Sequence, residues 1–154
     1  MRSKLIFTGC LVLVLGTALQ VLSLGWLGWS ADFVLIALLA FGPWARFKEF
    51  ILFLLIGAAV LSWRPGVSYE ILLVAGVPLF FFAVEKIFPW HVWINFIISL
   101  ILGTVVFYLL LGQQMIFLEW AVLLKVLFLN LLWGSALFIF LGRKFAPRGE
   151  RMFV

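Results

Sequence analysis

Charge is what this sequence has least of. Charged residues occupy 11% of its 154 positions, 11 of them basic and 6 acidic, against about a quarter in ordinary globular chains. A fold meant for water needs polar side chains to cover its outside, and these are too few. The shortage excludes a soluble domain. Cysteine is nearly missing too: Cys10 stands alone, so no intramolecular disulfide and no cysteine-built metal framework can form. His91 is the single histidine. No HExxH pair, Ser/His/Asp order, paired aspartates or phosphate-cradling glycine loop occurs. The chain is also short for separate catalytic and membrane modules. We therefore expect no enzyme, no catalytic residue, no metal and no cofactor.

What is there is apolar. Hydrophobic residues make up 67% of the chain, and the mean hydropathy is +1.30. The run from Leu5 to Ala31 carries no charge, and that from Ile87 to Leu118 is interrupted only by His91. Runs of about 18 or more apolar residues read as membrane spans. The net charge of +5 sits in short clusters between these runs, a pattern of membrane topology rather than of nucleic-acid binding. Met1-Arg-Ser-Lys4 before an apolar stretch has the format of a signal peptide, but no clear small-x-small cleavage site follows. Cys10 also lies too close to Lys4 for a lipoprotein box. The first helix is expected to be retained.

Cutting the chain at its charges and turn residues leaves six segments, at about 5–24, 31–45, 50–63, 67–84, 91–111 and 121–142, with a tail over 143–154. The breaks at Gly25–Ser30, Arg46–Glu49, Arg64-Pro-Gly66, Glu85-Lys86 with Pro89, and Gly112-Gln-Gln114 combine glycine, proline and charge. The expected fold is an all-α integral membrane protein, one compact bundle of six transmembrane helices. Ser30 fits the N-cap of the second helix, with Asp32 in its first turn. The second and third segments are short. At 1.5 Å per residue they reach about 20 Å, less than the roughly 30 Å hydrocarbon core. They are either short spans in a thinned bilayer or a re-entrant hairpin. The hairpin would bury Arg46 and Lys48 at about 2.5–3.5 kcal/mol each, so short spans with snorkelling ends are favoured.

Charge bias agrees with six crossings. With the N-terminus inside, the cytoplasmic segments hold Arg2, Lys4, Arg46, Lys48, Lys86, Arg143, Lys144, Arg148 and Arg151. The outer loops hold Arg64, with Lys125 just inside the last helix. That asymmetry predicts a multi-pass protein with both termini cytoplasmic. Trp26, Trp29, Trp63 and Trp120 fall at the outer boundary, and Trp44, Trp90 and Trp93 at the inner one, where indole prefers to lie.

Polar residues at membrane depth are the functional leads, because lipid penalises them and they tend to face protein. Lys125 either snorkels outward or pairs with a carboxylate from another helix, Asp32 or Glu70. Asn130 lies deeper in the same helix, where its amide should seek an interhelical partner. Thr17, Gln20, Asn95 and Thr104 are weaker signals of that kind. Asp32, Lys125 and Asn130 are thus the candidate interhelical or partner contacts. His91, Glu85 and Lys86 read most simply as wetted residues of a connection. Small residues at Gly57-Ala-Ala59 with Ser62, Ala75-Gly76 and Gly134-Ser-Ala136 allow close helix approach, within the bundle or across a homodimer contact.

The layout resembles the MreD family of bacterial rod shape-determining membrane proteins over nearly the full length. A basic start precedes a first span ending near a glutamine, Ala18-Leu19-Gln20. A short outer loop then leads to an acidic residue opening an apolar helix, Ser30-Ala-Asp-Phe-Val-Leu-Ile-Ala-Leu-Leu39. The last helix is similar in carrying a mid-span asparagine in a leucine-rich stretch, Leu123 to Leu132, and a basic end, Gly142-Arg-Lys144. Departures are Ala31, where the family commonly has proline, and the outer end of the third span, Leu61-Ser-Trp-Arg-Pro-Gly66. The resemblance implies a fold like the substrate-binding S components of energy-coupling-factor transporters. It implies a non-catalytic partner of MreC in the inner membrane, linking MreB filaments to the wall-synthesis enzymes of cell elongation. The alternatives are a small-molecule-binding subunit of such a transporter and a lipid-handling protein.

Overall fold

The computed structural model describes residues 2–27, 32–61, 69–87, 91–111 and 120–145. Among them are six helices and no strand: α1 (Arg2–Leu27), α2 (Phe33–Phe41), α3 (Phe47–Leu61), α4 (Tyr69–Ile87), α5 (Val92–Leu111) and α6 (Trp120–Phe145). The chain is all-helical there, as its charge-poor runs predict. Three helices contain stretches long and apolar enough to cross a membrane, Ser3–Leu22, Val92–Leu111 and Trp120–Phe145. Ser30, Arg64, Pro89, Trp90, Gln113, Glu119, Arg148 and Arg151 lie outside the described residues, as do the boundary tryptophans Trp29 and Trp63.

Two boundaries differ in a way that matters. The sixth helix runs on to Phe145, so Arg143 and Lys144 belong to its last turn and not to a tail. The second segment is helical only over nine residues, Phe33–Phe41. Gly42-Pro43-Trp44 turns the chain, with Trp44 N–H donating to the Phe41 carbonyl at 3.1 Å. Proline at 43 has no N–H with which to continue the helix.

This short helix is the centre of the bundle. Every residue from Val34 to Phe41 is 2% exposed or less, which requires a helix that is apolar all round. Each of the other five helices packs against it. Its start lies deep between its neighbours. Phe33 meets Gly16, 11 residues below the end of α1 and so about 16 Å down that helix. Asp32 meets Asn130, ten residues past the start of α6 and about 15 Å along it.

Most of the described charges gather at one end of the bundle, Glu49 and Glu85 among them. The start of α1 meets the end of α6 through Lys144 and Thr8. The end of α2 meets α6 through Trp44 and Phe138, and the starts of α3 and α5 meet the ends of α4 and α6 through Phe50–Phe82 and Phe96–Phe138. Lys4, Arg46, Lys48, Lys86, Arg143 and Lys144 therefore share one end, and Lys125 stands near the other. An aromatic core fills the basic half. Phe96 and Phe138 stack at 4.4 Å, Phe50 and Phe82 at 4.3 Å, and Trp93 packs edge-on against Phe138 at 5.2 Å. Gly134 permits the close fit of α6 on α5, since a Cβ there would sit 2.5 Å from Leu100 Cδ2.

Candidate functional site

The deep start of α2 creates a chemical problem. The first amides of any helix lack intrahelical acceptors, and a bundle interior offers no bulk water to replace them. Asp32 takes the N-cap position itself, which shifts the expected Ser30 cap by two residues, and its side chain makes no capping bond. The acceptor comes from the far end of the sequence instead. Asn130 Oδ1 accepts the Asp32 backbone N–H at 3.0 Å.

The rest of the amide is used as well. Asn130 Nδ2 donates to Thr104 Oγ1 at 3.1 Å and reaches Asp32 Oδ2 at 3.5 Å. Thr104 in turn donates its hydroxyl hydrogen bond to the Leu100 carbonyl at 2.7 Å, the back-bond a helical threonine favours. Tyr108, one turn further along α5, sets its phenol beside the Asp32 carboxyl. Asn130 and Thr104 are both fully buried. Phe33 and Trp133 close the cluster with ring centroids 5.7 Å apart. The arrangement is a polar lock joining α2, α5 and α6. Each such contact in a membrane bundle is worth about 0.6 kcal/mol on average, up to about 1.7.

Of the three residues expected to make interhelical contacts, the structure brings Asp32 and Asn130 together. Lys125 is exposed on α6, away from that pair. The carboxyl of Asp32 turns to an amide and a phenol rather than to the lysine. The side chain of Glu70, the other partner considered, lies outside the described residues. Tyr108 escaped sequence reading because a tyrosine near a helix end passes for an interfacial anchor. Its place one turn after Thr104 on the same helix face was the available signal.

Glu85 corrects the reading of a solvated connection. It belongs to the last turn of α4, and both carboxylate oxygens are shielded from solvent. Gly42, at the end of α2, leaves the space: a Cβ there would lie 2.9 Å from Glu85 Oε2. Ser99 on α5 faces the carboxyl without reaching hydrogen-bond geometry. Lys86 is exposed, its ammonium 5.1 Å from the Phe82 ring centre, and His91 is exposed ahead of α5. Among the described residues no group of three or more His, Cys, Asp or Glu could hold a metal ion. Cys10 is half-buried on α1.

Chemically, the lock can bind helices to one another. Its carboxyl, amide and hydroxyl bond to one another with the phenol alongside, an arrangement suited to holding register. Compared with protein-family models, with curated proteins and with solved structures, the chain gives no match.

Proposed function

We propose that this chain is a non-catalytic membrane adaptor of the rod-shape, cell-elongation machinery, similar in role to MreD. In this reading all six helices cross the bacterial inner membrane in an S-component-like bundle, with both termini cytoplasmic. The body binds an MreC-like bitopic protein, and through it couples MreB filaments to peptidoglycan synthesis.

One observation carries the reading. Asp32, Asn130 and Thr104 satisfy one another in the lock, with the Tyr108 phenol beside them, while the long first helix turns a broad apolar surface outward. Phe7, Leu11, Val14, Leu15, Leu19 and Leu22 are all 48% exposed or more. A rigid interior with an apolar exterior suits a protein that works through helix contacts in the bilayer. The basic residues gathered at one end agree with a cytoplasmic placement of that end.

The test is co-purification. Expressed with the MreC-like protein of the same genome, the tagged chain should retain it in stoichiometric amount through detergent extraction. Recovery of the chain without that partner, carrying a bound small molecule instead, would overturn the adaptor reading in favour of the transporter subunit.

A further inference from the structure

We propose that the seam between α1 and α6 at the basic end is a binding site for the phosphate headgroup of an anionic phospholipid. It rests on the reading of the bundle as membrane-embedded, and is independent of the adaptor role.

The seam exists because of the central helix. Both α1 and α6 pack extensively on α2, yet they make almost no backbone contact with each other among the described residues. Where they part at the basic end, a cleft of about 350 Å³ opens, lined by Ser3, Lys4, Phe7, Thr8 and Lys144. Lys4 and Thr8 are one turn apart and so share a face of α1. Lys144 enters from the last turn of α6.

Lys144 is held in place. Its ammonium donates to Thr8 Oγ1 at 3.0 Å and lies 5.6 Å from the ring centres of both Phe140 and Phe145. A lysine free to snorkel would point its charge into water; this one is turned back toward α1. Two ammonium groups and two hydroxyls then line one cleft, with no carboxylate among the described residues of its wall. Like charges brought together are unfavourable unless an anion joins them, and a phosphate offers acceptor oxygens to both ammoniums and to Ser3. The carbonyl end of α6 is countered by Lys144 itself.

A surface for the occupant's tail adjoins the cleft. Phe7, on the cleft wall, is 70% exposed, and Leu11 and Leu15 follow at one-turn steps, 48% and 53% exposed. This strip runs from the cleft along α1 toward the middle of the bundle. Free phosphate has no use for such a strip, whereas an acyl chain lies along it. Basic pockets between membrane helices are the setting in which acidic headgroups bind.

The experiment uses the full chain in detergent, with native mass spectrometry against phosphatidylglycerol and phosphatidylethanolamine of identical acyl chains. Phosphatidylglycerol should be retained at least about tenfold better. Lys4→Gln with Lys144→Gln should reduce its retention on the order of 30-fold, from two cations acting near the surface, and leave phosphatidylethanolamine unchanged. Lys4→Arg with Lys144→Arg should keep binding, which separates loss of charge from loss of fold. Equal retention of the two lipids would overturn the proposal, as would an equal loss on Lys125→Gln at the opposite end. Displacement of the lipid by millimolar inorganic phosphate would show a free-phosphate site and overturn it too.

Discussion

Helix α2 is built wholly from apolar residues and α1 mainly so, yet they occupy opposite environments. α1 runs 26 residues and leaves Phe7, Val14, Val21 and Leu22 more than half exposed. α2 runs nine and leaves nothing exposed beyond 2% after Phe33. In water such a difference would be written in hydropathy. In lipid hydropathy does not enforce it, because acyl tails are as apolar as leucine and exert no drive to hide one. What separates the two helices is polar and steric detail. α2 starts at a carboxyl and an amide N–H that need partners, and its neighbours approach it over Gly16 and Gly57. α1 needs no partner along its outer face. Inside and outside are thus specified by a few polar and small residues, and not by the many leucines.

The comparison can be broken most directly by equal truncations on the two helices. Leu38→Ala in α2 removes a side chain that is 1% exposed and should lower stability by about 3 kcal/mol. Leu15→Ala in α1, at 53% exposure, should cost less than about 0.5 kcal/mol. Thermal unfolding in one detergent reads both, and equal costs would erase the distinction. A smaller effect is expected at the lock. Asn130→Leu leaves the Asp32 amide and carboxyl without their α6 partner, a loss of about 2 kcal/mol. Adding Asp32→Leu to that variant should restore part of it, as the double-mutant cycle will show. The smallest effect belongs to Lys125→Leu. Its exposed ammonium should shift stability by less than about 0.5 kcal/mol, and collapse of the variant would reveal a buried partner.

Six helical segments were legible from charge and turn residues because those interruptions are local. Asn130 was legible as a seeker of partners for the same reason: an amide in mid-span has no other purpose. Its partner was not. Asp32 lies 98 positions away, and which of Asn130 or Lys125 it meets depends on how deep α2 begins. That depth is set by five neighbours, and no window of sequence contains them. Small residues show the same limit. Gly57 and Gly134 stand at close contacts as expected, whereas Gly76 has open space beside it. Gly9 and Gly103, which carried no signal, sit under Phe53 and Leu39. A glycine only permits approach; the bulk of the facing side chain decides whether it occurs. Glu85 was misread because Lys86 and Pro89 beside it suggest a wet loop, while its burial follows from Gly42 on another helix.

The acceptor that closes the head of α2 belongs to α6, which leaves the ribosome about 80 residues after α2 has done so. Until that segment is synthesised, the second helix has a leading amide with no mate and a flank without its wall. Closure of the head of α2 therefore waits for α6, and a chain stopped before it presents membrane quality control with an open interior rather than a smaller finished protein.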